Sequence, residues 1–519
     1  MSARAAGRAA LAIAAAVATL GVVTSRANAA DVAVVVVPNL DPTAYAREGA
    51  VGLLVPGAGS TVTRKGALSS LVRGKVVSSL VGGTASGKPL IGLSREPARV
   101  TIYVTLPPLG RSHNTKRYPI AIVGGGYRGL LVTRTTRIPG LVSITDVAPT
   151  AVALAGGRKP PIRWRRDDTA ALAVARLDDR LADAHDTRTA AAMVLVFTTL
   201  VIAGLALLLR SAFLARAGLL AIPSALAVAL ALSALDVSKP RDATIALAVA
   251  MPLLALTVAW HRSLLLPALV IFLVAELVVL AVWPEVTALS AIGPHPDGGG
   301  RYFGVTNEVE TLLLAPILAA GALVSRRQFI ALATLALLLV GWSRAGADGG
   351  GILVLLVALG TLWVLRERVP ITPLRAVLAS LGVVLLALAL VRLDTLTGGS
   401  SHVTGAISSG TGSLIGDVGH RLRISWEGIT ATTQAAVAPA LTLVVLVGAG
   451  LLRPRVAVVD ALLAGLAVSL LVNDTPTEVI AYGALVATAL RIWATVDERA
   501  TERSVEGSYP RVSPAPLSR

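Results

Sequence analysis

Cysteine is absent from this 519-residue chain, so disulfides, thiolate metal sites and cysteine nucleophiles are excluded at the outset. Histidine is scarce at six residues, aromatic residues make up only 4%, and charged residues only 15%. What remains is apolar: 54% hydrophobic residues and a mean hydropathy of +0.74 are too high for an ordinary soluble enzyme and point to a polytopic membrane protein. A net charge of +17 raises the question of nucleic acid. That partner requires basic residues on one face with aromatic platforms, and the poverty in aromatics argues against it.

The N-terminus "MSARAAGRAALAIAAAVATLGVVTSRANAA" carries Arg4 and Arg8, an apolar run from Ala9 to Val23, and the small-x-small sequence Ala27-Asn28-Ala29. This pattern reads as a secretory signal over residues 1–29, and whether it is cleaved after Ala29 or kept as an anchor, the segment that follows is expected outside the cytoplasm. Residues 30–157 contain no run long enough to span. Short β-rich runs ("VAVVVV", "VTIYVTL", "YPIAIVGGG") alternate there with Gly/Pro punctuation, an α/β pattern. Residues 158–188 form a juxtamembrane linker in which Ala170, Val174, Leu177 and Leu181 recur at helical spacing.

From 189 to 497 the chain reads as an all-α polytopic membrane domain of about eleven helices, because apolar runs approach the ~20 residues that cross a bilayer. They centre on 190–209, 217–235, 243–260, 263–283, 308–324, 328–342, 352–365, 374–391, 435–452, 456–471 and 478–493. The runs 328–342 and 352–365 are short and flank "SRAGADGGG", so a re-entrant hairpin is the alternative to two full spans. With residue 188 outside, every second loop is cytoplasmic. Those loops hold Arg210 and Arg216, Arg262, Arg326 and Arg327, Arg366, Arg368 and Arg375, and Arg453 and Arg455. The positive-inside rule is met at each, which makes the basicity a sorting signal in a multi-pass plasma-membrane protein. The tail, 498–519, is rich in Pro, Ser and Arg and is expected to be disordered and cytoplasmic.

Two stretches of the N-terminal region, "EGAVGLLVPGAGSTVTRKGALSSL" (Glu48 to Leu71) and "GGGYRGLLVTRTTRIPGLVSITDVAPTAVALAGG" (Gly124 to Gly157), carry a family likeness. The second resembles the closing segment of the alkaline phosphatase, sulfatase and cofactor-independent phosphoglycerate mutase superfamily, where a "TDIAPT" turn opens a late helix; here the turn is "ITDVAPT", Ile144 to Thr150. The resemblance covers roughly residues 31 to 157 and implies a truncated alkaline-phosphatase-like fold. Members hold two metals with Asp and His and displace phosphate or sulfate in line. In this chain Pro38-Asn39 stands where the family carries a metal-binding Asp, and "VTLPPLG" (Val104 to Gly110) where an Asp-His pair is expected. The resemblance therefore implies a degenerate relative with no metal and no cofactor. Asp146 is expected to start the turn or cap the helix that follows.

The same parity sends "GVTNEVE", "SRAGADGGG", the loop 393–434 and "NDTPTEV" to the outer face. Capping is the plain reading of their polar residues. Asn307 with Glu310 has capping-box spacing, Thr475-Pro476-Thr477-Glu478 fits it with Pro at the first helical position, and Asp348 precedes the next span. Glu308 and Asp474 are left over for chemistry. With His420 and Asp348 they are the candidate catalytic groups, acting as general base toward an acceptor hydroxyl or orienting arginines. Arg301, Asn307, Arg344, Arg421 and Arg423 are candidates to bind an anion such as a lipid pyrophosphate at helix N-termini. Glu276, inside "LLLPALVIFLVAELVVLAVW", completes the binding candidates, since an intramembrane carboxyl is functional by default.

Three functions compete. The first is envelope assembly on a lipid-linked glycan or other anionic envelope substrate at the outer leaflet. The second is a proton-coupled transporter or flippase that uses Glu276. The third is a non-catalytic scaffold whose degenerate outer domain binds a partner, such as an envelope-assembly protein partner, or an anionic ligand.

Overall fold

The structure, a computed structural model, describes residues 32–59, 61–75, 88–296, 301–370, 433–473 and 475–506, with scattered positions between 372 and 392. The signal sequence, most of the run 374–391, the loop from 393 to 432, Asp474 and the tail beyond 506 lie outside the described residues. The chain divides into two compact units, residues 1–182 with 295–302, and residues 183–294 with 303–519.

The N-terminal unit is α/β. In chain order its elements are β1 (Val32–Val36), α1 (Pro42–Tyr45), β2 (Gly49–Val55), β3 (Thr61–Thr63), α2 (Arg64–Arg73), β4 (Val100–Val104), β5 (Arg111–His113), β6 (Tyr118–Gly124), β7 (Gly129–Val132), β8 (Leu141–Ser143), α3 (Val147–Ala155) and β9 (Arg163–Arg165). Seven strands form a mixed sheet in the order β1-β4-β6-β2-β7-β9, with β8 also paired to β2; β3 and β5 make a separate ribbon. Strand β2 is buried along all seven residues, as its unbroken apolar run requires of a central strand covered on both faces. It is antiparallel to β6 and parallel to β7 and β8. Leu54, Ile102, Ile120, Ile122, Ile144 and Val147 form the heart of the core beneath α2 and α3.

The sheet reaches past the boundary expected at 157, because β9 adds to β7 in antiparallel register, Leu131 opposite Trp164. The stretch that follows is held to this unit by an ion pair. Arg117 Nε donates to Asp178 Oδ1 at 2.7 Å, and its two other nitrogens reach the carbonyls of Asp178 and Thr115.

The second unit is helical. α4 (Ala170–Leu209) is one continuous 40-residue helix that begins in the N-terminal unit and continues into the second, so the juxtamembrane helix and the apolar run after it are a single element. It is followed by α5 (Ala212–Ala234), α6 (Pro240–Ala259), α7 (Leu265–Val282), α8 (Pro284–Ala288), α9 (Asn307–Leu323), α10 (Arg326–Gly341), α11 (Gly349–Arg366), α12 (Thr433–Leu451), α13 (Ala457–Val472) and α14 (Pro476–Glu506). Among the described residues, six helices are long and apolar enough to cross a membrane: α4, α5, α6, the segment Arg262–Val282 that contains α7, α11, and the first part of α14. Large apolar side chains such as Phe197, Leu208, Ile245, Ile271 and Val444 stand on helix surfaces, where lipid in place of water removes their hydration cost. This is a multi-pass membrane protein. α14 continues to Glu506, past the boundary read at 497, because "VDERATERS" consists largely of helix-forming residues.

At the centre of the bundle lies α9, buried at fourteen of its seventeen residues. A helix apolar on every side must be enclosed by others, and α5, α7, α10, α11, α13 and α14 all pack on it. Its C-terminal end is answered by Arg366, which donates to the carbonyl of Gly321 at 2.9 Å. A guanidinium suits that end, where unsatisfied carbonyls concentrate negative charge. Arginines read from the sequence as loop residues thus lie near helix ends and make structural contacts. Arg216 is buried against Asp497 at 2.9 Å and also reaches the Ala259 carbonyl at 3.3 Å.

Candidate functional site

Three of the four polar motifs meet at the N-terminal end of α9. The chain enters through Gly304, whose φ of +89° belongs to the left-handed region. There Val305 N–H donates to the carbonyl of Gly346 at 2.8 Å. A β-carbon on Gly304 would overlap that carbonyl oxygen, so only glycine allows "GVTNEVE" to dock on "SRAGADGGG". Within the latter, Ala347 also takes a positive φ of 55°, and Asp348 N–H returns to Val340 O at 2.9 Å, reversing the chain between α10 and α11.

The cap of α9 differs from the one the spacing predicts. Thr306 is the capping residue, its hydroxyl accepting from Val309 N–H at 3.3 Å, and Asn307 is already helical. Thr306 has the extended backbone and short side chain that the role requires, and this frees Asn307 and Glu310 to point elsewhere. Asn307 Nδ2 donates to Thr475 Oγ1 at 3.0 Å. Glu310, 1% exposed, accepts from Asn473 Nδ2 at 3.0 Å, and the second N–H of that amide goes to Ser469 Oγ at 2.7 Å. Two side-chain bonds thus stitch "GVTNEVE" to "NDTPTEV".

Asp348 closes the centre. It stands at the N-terminus of α11 and makes no side-chain cap bond, contrary to the simple expectation from its position. Its carboxyl turns inward, and the residue is 3% exposed. A methyl added to Gly351 would lie 3.1 Å from Asp348 Oδ2 and 3.2 Å from the Glu310 carboxyl carbon. The two acids therefore approach to within about 6 Å, a range at which like charges interact strongly. A methyl on Gly350 would lie 3.1 Å from Asn473 Oδ1, so the amide borders the same glycine pair. Glu308, 8% exposed, shares the first turn of α9 and, with Glu478, lies within electrostatic reach of the Tyr482 phenol on α14.

The predicted residues thus divide. Asp348, Asn307 and Glu308 belong to this region, whereas Glu276 lies on α7 in the wall of a separate cavity. Arg344 is exposed on the turn before Asp348, and Arg301 is half-buried. Asp474, His420, Arg421 and Arg423 lie outside the described residues. Asn473, Ser469 and Tyr482 were not singled out from the sequence, although an Asn closing the apolar run "AVVDALLAGLAVSLLV" is a visible signal. Glu310, read as a cap, is in fact a central member of the cluster. Among the described residues, no three His, Asp or Glu side chains gather as a metal-binding group.

In the N-terminal unit Asp146 also departs from the expected cap. Its carboxylate accepts from Thr133 Oγ1 at 2.8 Å and from Thr135 Oγ1 at 2.7 Å, while Ser143 caps the preceding 3-10 turn. Burial raises its pKa above the ordinary value, and the bonds from Thr135, Thr133 and Ser143 partly oppose the shift. The neighbouring Tyr302 donates to Ser143 Oγ at 3.3 Å, and burial pushes its phenol up to about 12. The "ITDVAPT" turn therefore locks the strand-to-helix corner.

Comparison with known proteins adds no assignment to this geometry: no family model, no curated protein and no solved structure matches the chain.

Proposed function

We propose that the protein acts in cell-envelope assembly on a lipid-linked or phosphate-bearing substrate at the outer leaflet of the plasma membrane. One observation carries the reading: Glu310, Asp348 and Asn473, from three separate polar motifs, converge where α9 and α11 begin and α13 ends. Helix N-termini present free N–H groups and favour anions, and Arg344 lies on the adjoining turn. Asp348 and Glu308 are then the candidate bases toward an acceptor hydroxyl, with Asn473 holding Glu310 in place.

In this reading about eleven segments span, the N-terminal unit is extracytoplasmic, and the tail is cytoplasmic. It is supported by the bundle itself. The acid-rich N-terminal end of α9 and its Arg366-capped C-terminal end lie at opposite faces, as an outward site and a positive cytoplasmic side require. The N-terminal unit is read as a degenerate relative of the alkaline phosphatase superfamily. Its support is that "ITDVAPT" opens α3, together with the parallel pairing of β1 and β4, which sets Pro38-Asn39 beside the turn after Val104.

The test is replacement of Asp348 by Asn and of Glu308 by Gln in the native organism, with membrane abundance of each variant measured alongside. Loss of envelope integrity or a changed envelope composition at normal abundance is the expected result. Unchanged growth and composition in both variants would remove the reading. Reporter fusions test the orientation: position 349 should report the exterior and position 327 the cytosol.

A further inference from the structure

A second feature of the membrane bundle stands apart from that centre. Between α5 and α7 is a half-open cavity of about 490 Å³, with Ala231, Ala234, Ala275 and Trp283 exposed at its mouth. Ala227 and Ala231 line one side, Phe272, Glu276 and Val279 the other, and Trp283 lies at one end. Both rows recur at three- and four-residue spacing, so each helix presents one face to the space. The alanines keep the cavity open, and Ser233 Oγ, bonded to the Val286 carbonyl at 2.7 Å, pins α5 to α8 beside it.

Glu276 is the one acid or base in this lining and is only 5% exposed. No hydrogen bond or ion pair joins it to any described residue. Ionisable groups at mid-span cost about 2.5–3.5 kcal/mol on insertion scales, so such a group is retained where something answers it. The volume falls within the ~300–1,000 Å³ of small-molecule pockets, which are mostly apolar with a few placed polar groups. A metal ion is poorly served by a single carboxyl, since hard cations take about six or more oxygen ligands. An anion would be repelled, and a neutral apolar molecule would leave the carboxyl buried and unanswered. A monovalent organic cation with an apolar body satisfies every wall: its charge meets Glu276, the aromatic side chains of Phe272 and Trp283 line the space, and the rest fills apolar volume.

We propose that the α5–α7 cavity is a binding site for a lipophilic organic cation, with Glu276 as the counter-charge and Phe272 and Trp283 as aromatic walls. The site is independent of the polar centre and of the function assigned to it, and it requires occupancy only, not movement across the membrane.

The experiment uses full-length protein in nanodiscs with radiolabelled tetraphenylphosphonium as the cation and triphenylphosphine oxide as an uncharged analogue. Wild type should bind the cation saturably. Glu276→Gln should weaken cation binding at least tenfold, about 1.4 kcal/mol, while changing binding of the uncharged analogue less than about twofold. Ala231→Leu, which fills the cavity and leaves the carboxyl in place, should weaken both. Thermal unfolding of each variant checks that the bundle is intact; if Glu276→Gln fails that check, Glu276→Asp, which keeps the charge, should retain cation binding. Absence of saturable cation binding to wild type up to about 1 mM would overturn the proposal. An equal effect of Glu276→Gln on both ligands would do the same.

Discussion

Of the contacts that build the polar centre, the bond from Asn473 to Glu310 is the most open to measurement. Both N–H groups of the Asn473 amide are committed, one to Glu310 at 3.0 Å and one to Ser469 at 2.7 Å. Asn473→Ala removes both, and hydrogen bonds contribute about 0.5–1.5 kcal/mol when neutral and about 1.5–3 when one partner is charged, so the single variant should lose roughly 2–4 kcal/mol. Glu310→Ala removes the shared bond from the other side. The double variant isolates that bond as a coupling energy. Side-chain bonds between membrane helices average about 0.6 kcal/mol and reach about 1.7. Burial of both partners and the carboxyl acceptor place this pair at the upper end, so a coupling of about 1–2 kcal/mol is expected. The assay is SDS-induced unfolding of the full-length protein from mixed micelles, followed by circular dichroism. Additivity within about 0.5 kcal/mol, the behaviour of independent sites, would refute the bond and with it the stitching of the two motifs.

Other outcomes follow from the same structure. Asp497→Ala leaves the Arg216 guanidinium buried without its carboxylate, and should destabilise the protein by about 3–5 kcal/mol in the same unfolding assay; a shift under 1 kcal/mol would mean that water reaches the pair. Gly304→Ala must adopt a positive φ and overlap the Gly346 carbonyl, so it should cost more than about 1 kcal/mol and lower the yield of folded protein, whereas Gly92→Ala, with open space around it, should not. Asp146 has a raised pKa through burial, so the folded state holds its proton more tightly than the unfolded chain. That contribution is complete below the ordinary value of 3.8 and is lost as pH rises through the native value. Amide protection factors in β7 and α3, corrected for intrinsic exchange, should therefore fall with rising pH across that window, and Asp146→Asn should flatten the profile; a slope unchanged in the variant would refute the assignment.

Much of the architecture could be read from the sequence because it depends on local chemistry. Apolar runs near membrane length became helices, with α5, α6, α7 and α11 among those long and apolar enough to cross. Alternation of short β-rich runs with Gly and Pro became a mixed sheet, since a strand such as Gly49–Val55 has no polar side chain to present to water. The polar motifs at helix ends were visible for the same reason: in an apolar chain every acid or amide near a run stands out.

What each polar group does was decided only by tertiary structure. Thr306 displaced Asn307 as the cap because the route of the chain through Gly304 sets which residue takes the extended backbone at the helix start. Glu310 became central rather than a cap because Asn473, 163 positions away, supplies its donor. Asp348 turned inward because Gly350 and Gly351 carry no side chain to fill the space. Glu276 faced a cavity and not a partner because the opposing face of α5 carries alanine. Periodicity and propensity act over a few residues and specify elements. The pairing of an amide with a distant carboxyl depends on how those elements stack, and one sequence read along its length carries no direct record of that.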